Sequence, residues 1–447
     1  LAAAGYEVTL LPAPLPTPIL AFAVRHFQAA AGIQITASHN PARDNGYKVF
    51  LADGAQLVSP ADREIEALIQ RAPAADQIPR TPVEPSGAEV VDAYLTRIAQ
   101  LPRTPVPERA SLRIALTALH GVGGDIAVRA LAAAGVTDVH VVAAQHDPDP
   151  DFPTVAFPNP EEPGTTDALL DLAAAVDADL AIALDPDADR CAIGVCGPDG
   201  WRMLRGDETG VLLGEYFIDS APADALVATT IVSSTLLNSL AQARGVRSAR
   251  TLTGFKWLTR AGDGLIYAYE EAIGMCVDPE HVRDKDGIGA AVMCADLAVA
   301  LGGRSNASVG GRTFLDQLDA LAVEFGVHAV DQVSLRVDDL ADIAAMTTRL
   351  RAAPPSTLAG EEITVDDLLD RPEPQRTDAL VLTGPTATGR TVRMVARPSG
   401  TEPKLKCYLE VIEPVADHDD LTRARDAAEA TLEQLRQYAN SLAAQEK

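Results

Sequence analysis

Positive charge is the first thing this chain lacks: 63 acidic residues against 37 basic ones leave a formal net charge of −26 over 447 residues. A phosphate backbone or an anionic bilayer is repelled by such a surface, which argues against nucleic acid or a membrane as the main partner. It leaves room for a soluble enzyme whose few cations are gathered at one place. Paired cysteines are missing too. The five present, Cys191, Cys196, Cys276, Cys294 and Cys407, are scattered, odd in number and without a Cys-x-x-Cys pair. This speaks against structural zinc or a disulfide framework and for a reducing, cytoplasmic setting. No uninterrupted apolar run reaches the roughly 18 residues of a membrane span. Leu1 is not an initiator Met, and no basic segment precedes an apolar one, so a signal peptide is not expected. The opening Leu-Ala-Ala-Ala-Gly-Tyr reads as the middle of a domain.

Lysine is the scarcest cation. Only six of the 37 basic residues are lysines, and apart from Lys447 they are Lys48, Lys256, Lys285, Lys404 and Lys406. All five fall in the stretches that carry chemistry below. Arginine cannot replace lysine where a compact, titratable ammonium is needed, so these positions read as reserved for function.

What is present is length enough for roughly three or four domains of about 100–150 residues each. No repeat appears beyond recurring βαβ units. Residues 1–108 hold strand material at Val8 to Leu11, a Pro-rich turn, a helix from Ile19 to Ala31, strands at Gly32 to Ile35 and Tyr47 to Phe50, and two helices. The Pro-rich stretch Leu101 to Pro107 reads as a linker. Residues 109–217 open with a buried strand at Leu112 to Leu119, then a Gly turn at His120 to Gly124, a helix and another strand, which is a βαβ unit. His120 is expected to be structural. Residues 218–326 form a third such unit, with strands at Ala225 to Ile231 and Leu265 to Tyr269 and a long apolar helix from Ile288 to Leu301. Residues 327–447 change to an α+β pattern that ends in an amphipathic helix, with Leu421, Ala428, Leu432, Leu435 and Leu442 at helical spacing.

Four stretches stand out. In Thr36-Ala-Ser-His-Asn-Pro41 an apolar strand breaks on Ser38 and His39, Pro41 forbids its continuation, and Asn45-Gly46 turns the chain back. Ser38 is the candidate nucleophile. In Asp185-Pro-Asp-Ala-Asp-Arg190, three carboxylates at alternate positions follow the apolar strand Leu180 to Leu184, and they converge on one hard cation if the loop curls. An EF-hand is excluded because Arg190 stands where loop position six needs glycine and Cys196 where the twelfth ligand must be acidic. Glu270-Glu-Ala-Ile-Gly274 follows a strand. Further on, His281, Arg283 and Lys285 precede a helix that reads either as an anion site or as a charged entry capped by Asp286. In Arg397-Pro-Ser-Gly-Thr-Glu-Pro-Lys404, small residues and an arginine suit a phosphate.

In this order the four stretches resemble the α-D-phosphohexomutase superfamily along the whole chain. Thr251-Leu-Thr-Gly-Phe-Lys-Trp257, Phe157-Pro-Asn-Pro-Glu-Glu162 and Asp284-Lys-Asp-Gly287 look most like its phosphoglucomutase/phosphopentomutase branch, which includes bacterial members labelled phosphomannomutase. The resemblance implies three α/β mixed-sheet domains and a C-terminal α+β domain, TATA-binding-protein-like, around a central cleft. It implies a mutase that moves phosphate between the 1- and 6-positions of glucose or mannose through a phosphoserine at Ser38 and a bisphosphate sugar, which also serves as activator. Mg²⁺ would be held by Asp185, Asp187, Asp189 and a phosphoryl oxygen on Ser38. His39, Lys48 and Lys285 are candidates for proton transfer, among which the residues do not decide, with Arg190 stabilising charge. Thr253, Gly254, Glu270 and Ala272 would line the sugar site, and Arg397, Ser399, Gly400 and Thr401 would grip the phosphate that is not reacting. The substrate is a small phosphosugar, and the chain is expected to be a monomer or homodimer.

Two departures from the family pattern bear on these expectations. Many hexose-selective members carry serine where this chain has Ala272, so a pentose mutase, acting between the 1- and 5-positions of ribose or deoxyribose, is the alternative. The family's first domain also begins upstream of Leu1, with a strand and a Gly/Arg loop, so this fragment is expected to be inactive or unstable. A haloacid-dehalogenase-type phosphatase, with Asp185 as nucleophile and Asp187 as acid, leaves the Ser38 and Arg397 stretches without a role. A non-catalytic sugar-phosphate binder would not need Ser38.

Overall fold

The strand Leu180–Leu184 is wholly apolar and fully buried, as a central strand covered on both faces must be. It sits third in a five-stranded sheet ordered Asp138–Val141, Arg113–Thr117, Leu180–Leu184, Cys191–Gly197, Gly200–Met203. The first three strands are parallel, joined through the helices Gly124–Ala133 and Asp167–Ala175, and the last two are antiparallel. This computed structural model describes residues 1–302, 312–337, 339–385, 389–399 and 404–444. Its packing divides into two units, Leu1–Ala228 with Gly254–Phe314, and Thr229–Thr253 with Leu315–Lys447.

In the first unit the helix Thr17–His26 starts where Pro16 and Pro18 pre-set its first turn, and it buries Ile19, Phe22 and Val24. It leads into the antiparallel hairpin Ala31–Ile35 and Tyr47–Leu51, in which Gln34 pairs with Lys48. The expected strand at Val8 to Leu11 does not form. Only Leu10 bridges, to Pro85, because the prolines that follow cannot donate to a ladder. The proposed linker is not free either. Arg103 N–H donates to Asp296 Oδ2 at 2.7 Å and Thr104 N–H to Oδ1 at 3.0 Å, and Asp296 is fully buried on the helix Gly287–Leu301. A buried carboxylate needs such partners, so the Pro-rich stretch is a pinned strap.

The second unit holds a five-stranded antiparallel sheet ordered Val327–Arg336, Lys404–Glu413, Thr391–Pro398, Leu380–Pro385, Thr364–Asp367. The helix Leu421–Ala444 packs on it, and the five apolar positions at helical spacing are all buried. This is the α+β module expected there.

Candidate active site

The loop after Leu184 curls because Ala188 takes a left-handed φ of +53° and its N–H donates to Asp185 O at 2.8 Å. Asp185 Oδ1 accepts from its own loop, from Arg190 N–H at 3.0 Å. The curl is seated on the turn after Arg113–Thr117. Val122 N–H donates to Pro186 O at 2.9 Å, and a Cβ on Gly121 would lie 2.3 Å from Pro186 Cα, so only glycine fits. Asp185, Asp187 and Asp189 are thereby buried with one oxygen each within 4.8 Å of the others. Asp187 Oδ1 and Asp189 Oδ1 have no hydrogen-bond partner. Three buried carboxylates, two of them with a bare oxygen, are costly unless a cation meets them, and a hard oxygen set suits a hard divalent ion. Burial, then Asp187 and Asp189, push the Asp185 carboxyl well above its usual range.

Ser38 faces this loop. Its hydroxyl donates to Asp185 Oδ2 at 2.9 Å, and its backbone N–H donates to Thr36 Oγ1 at 2.8 Å. Its φ of +53° is costly for a residue with a side chain, by about 1 kcal/mol or more, and is held by these bonds from both sides. His39 Nδ1 lies 3.4 Å from Ser38 Oγ, and its ring is 6.4 Å from that of Phe157. Burial, then the Arg190 charge, push His39 down to about 3, so the imidazole is neutral at ordinary pH.

Two ammoniums face the acidic loop. Lys48 Nζ meets Asp187 Oδ2 at 2.7 Å and also Asp189 Oδ2, while Lys285 Nζ meets Asp189 Oδ2 at 3.0 Å. Burial works against the charge on Lys48, but Asp189 and Asp187 outweigh it and hold it above the ordinary lysine range. Lys285 fits beside Glu270 because Gly274 has no side chain: a Cβ there would lie 2.7 Å from Lys285 Cδ and 2.9 Å from Glu270 Oε1. Arg190 reaches Glu161 Oε2 at 3.8 Å, which brings in the stretch Phe157 to Glu162.

Burial pushes Glu270 up to about 7, against the opposing pull of Lys285 and Arg190. A glutamate in the unfolded chain titrates near about 4.3, so the folded value is the raised one. The stability linked to it is full below the unfolded pKa and lost as pH climbs through about 7. Glu270→Gln should therefore raise the melting temperature of the metal-free protein at about pH 8 and change it little at about pH 5. A thermal scan with no gain at the higher pH would contradict this assignment.

The structure thus brings Ser38, His39, Lys48, Asp185, Asp187, Asp189, Arg190, Glu270 and Lys285 into one unit. Gly254, with φ +105°, opens the short helix Phe255–Leu258 in that unit, and Ala272 lies in the turn between the strands Leu265–Glu270 and Gly274–Cys276. Thr253, Arg397 and Ser399 belong to the second unit. Ser399 N–H donates to Lys404 O at 2.9 Å, and Gly400 and Thr401 lie outside the described residues. The helix behind His281, Arg283 and Lys285 is not an open anion site. Asp286 caps it through Gly289 N–H at 2.8 Å, His281 turns to Asp278 and Arg283 to Asp53. His120 is structural, with Nε2 2.7 Å from Thr154 Oγ1. Sequence reasoning missed Thr17, whose hydroxyl donates to Asp187 Oδ2 at 2.6 Å, and Gln56, whose amide donates to Asp284 Oδ2 at 2.6 Å.

Models of the family described as phosphoglucomutase/phosphomannomutase match three α/β/α domains in order: domain I at residues 1–76, domain II at 92–196 and domain III at 205–314. A Haemophilus influenzae protein named "Probable phosphomannomutase" is 42% identical over 92% of this chain and 83% of its own length. The chain belongs to the phosphoglucomutase/phosphomannomutase family. A second relative, the Mus musculus "Phosphopentomutase", is 34% identical over 93% of this chain and 72% of its own. In fold, the family member resembles the crystal structure of a "putative phosphomannomutase" from Thermus thermophilus. That match has a TM-score of 0.72 at 23% identity and covers 98% of this chain and 85% of the other. The phosphoglucomutase/phosphomannomutase assignment makes the chain an intramolecular phosphotransferase of the phosphosugar mutase class. The dehalogenase-type phosphatase reading falls with it. Among the described residues no helix is long and apolar enough to cross a membrane, and the five cysteines are unpaired.

Proposed function

We propose that the chain interconverts the 1- and 6-phosphates of glucose or mannose, with Ser38 carrying the phosphoryl group and a bisphosphate sugar as intermediate and activator. The observation that carries this reading is the Ser38 hydroxyl, bonded at 2.9 Å to a carboxylate of the buried aspartate cluster, in which Asp187 Oδ1 and Asp189 Oδ1 lack partners. Asp185, Asp187 and Asp189 would hold Mg²⁺, which when bound offsets charge on a phosphoryl oxygen at Ser38. His39, 3.4 Å from Ser38 Oγ, Lys48 and Lys285 are the candidates for proton transfer, and the two lysines also supply positive charge to the transferring group. Arg190 stabilises developing charge. Glu270 holds sugar hydroxyls, and Gly254 and Thr253 belong to the same sugar-recognising stretch. Arg397 and Ser399, with Gly400 and Thr401, have the chemistry to grip the phosphate that is not reacting.

A pentose phosphate is the second reading, favoured by Ala272, which offers no hydroxyl to a hexose, and by the 34% identity to a protein named phosphopentomutase. The test supplies the full-length protein with Mg²⁺, a trace of bisphosphate sugar and, separately, glucose, mannose and ribose 1-phosphates, followed by phosphorus NMR. Transfer to the 6-position of glucose or mannose supports the first reading, and turnover of ribose 1-phosphate alone replaces it by the second. No positional transfer with any sugar refutes both.

A further inference from the structure

We infer that Thr17 is a positioning residue for Asp187 as a metal ligand, an inference that rests on the magnesium reading above. Thr17 is fully buried and is the first residue of the helix Thr17–His26. First-turn N–H groups have no partner inside a helix. The one on Thr17 donates to Asp187 O at 2.9 Å, and the hydroxyl of the same residue donates to Asp187 Oδ2 at 2.6 Å. Two bonds from one residue hold the carboxylate against its own backbone, so its rotation is fixed. Oδ2 is then filled by Thr17 and by Lys48 at 2.7 Å, and Oδ1 is left without a partner. A ligating carboxylate whose other contacts are set in this way presents a defined oxygen to the cation, which is how hydrogen-bonded neighbours tune metal sites.

The same contact fixes the aspartate loop relative to the nucleophile. Thr17 follows Leu15 and Pro16, and Leu15 O accepts from Gln34 Nε2 at 3.0 Å. Gln34 lies in the strand Ala31–Ile35, three residues before Ala37 and four before Ser38. The segment that presents the serine and the segment that locks Asp187 are therefore tied to one another. Loss of the Thr17 hydroxyl should loosen the metal carboxylate without touching Ser38.

The experiment compares the full chain with Thr17→Ser, which keeps the hydroxyl, and Thr17→Ala, which removes it, using Mn²⁺ uptake read by electron paramagnetic resonance as the probe. Thr17→Ser should bind Mn²⁺ within about 3-fold of the parent, and Thr17→Ala should bind about 10- to 100-fold more weakly, at matching metal-free melting temperatures. Thr17→Val, which keeps the branched shape, makes the same comparison if Thr17→Ala does not fold. Equal Mn²⁺ affinity in the variants with and without the hydroxyl overturns the inference while leaving the metal site intact. A parent protein that takes up no Mn²⁺ overturns the metal reading itself, so the two failures are distinguishable.

Discussion

Ser38→Ala should abolish phosphoryl transfer, lowering kcat by about 10⁴-fold or more, while affinity for the bisphosphate sugar changes only a few-fold. The reason lies in what the hydroxyl touches. It donates to Asp185 at 2.9 Å, has only a long 3.4 Å contact with His39 Nδ1 besides, and sits half-buried just past a strand end, so its removal costs the fold only about 0.5–1.5 kcal/mol. The ammoniums, Arg190 and Glu270, which would hold the sugar phosphate, stay where they are. Steady-state turnover and calorimetric binding on the same preparation check the split. A variant that retains more than a tenth of the parent rate would remove Ser38 from the mechanism, as would failure to find acid-stable phosphate on Ser38 of the parent. Loss of turnover with retained affinity excludes a mere sugar-phosphate binder, for which the serine is dispensable.

The arrangement around Ser38 explains why so much charge is concentrated in one place. Phosphoryl transfer gives the protein little covalent work beyond the carrier, and catalysis is positioning plus neutralisation of negative charge spread over oxygens. Cations suited to this are rare in a chain of net charge −26, and two of its six lysines lie against the same aspartate loop. Burial raises the worth of each charge by removing the screening of water. It also makes the unliganded carboxylates expensive, so the two ammoniums stabilise the loop.

The parts of this site readable from sequence were those with local marks. Pro41 and Asn45-Gly46 bound the Ser38 turn, and the apolar run Leu180 to Leu184 delivers Asp185 to a strand end, where α/β sheets place ligands. The long apolar helix ending at Leu301 and the terminal amphipathic helix were likewise legible from periodicity. Contacts over long separations left no such mark. Thr17 and Asp187 are 170 residues apart, Gln56 and Asp284 are 228 apart, and neither pair belongs to a periodic pattern. The cap by Asp286 is one of two readings of its stretch, and the choice between it and an anion site rests on a side-chain rotamer that spacing does not reveal. The antiparallel strands Cys191–Gly197 and Gly200–Met203 follow the aspartate loop too closely for their pattern to be separated from it. Arg393 and Glu410 also escaped reading, because charged residues in otherwise apolar strands ordinarily mark a solvent face.

Those two residues carry the largest expected effect on stability. Arg393→Met should cost the second unit about 3–5 kcal/mol, because it leaves Glu410 as an uncompensated buried carboxylate. Glu410 is 2% exposed and faces Arg393 across neighbouring strands, with Arg393 Nη1 2.9 Å from its Oε2. Its other oxygen accepts from Ser234 Oγ at 2.8 Å, Thr235 N–H at 2.7 Å and Thr235 Oγ1 at 3.1 Å, with His328 Nδ1 at 3.0 Å. Burial opposes the charge, but the His328 hydrogen bond and the Arg393 charge outweigh it and hold the carboxyl well below the usual range. Because the folded pKa is depressed, this stabilisation is present above the unfolded value of about 4.3 and is lost as pH falls through the folded one. Arg393 also donates to Ser233 O at 3.2 Å, so the ion pair fastens the segment that starts the helix Leu236–Ala243. Pairing Arg393→Met with Glu410→Gln, which keeps an acceptor for Ser234 and Thr235 but no charge, should recover more than half of the loss. Urea unfolding at neutral pH measures both variants. A single substitution costing under about 1 kcal/mol, or a double variant no more stable than the single, would mean that the charge of Glu410 is balanced by its other partners rather than by Arg393.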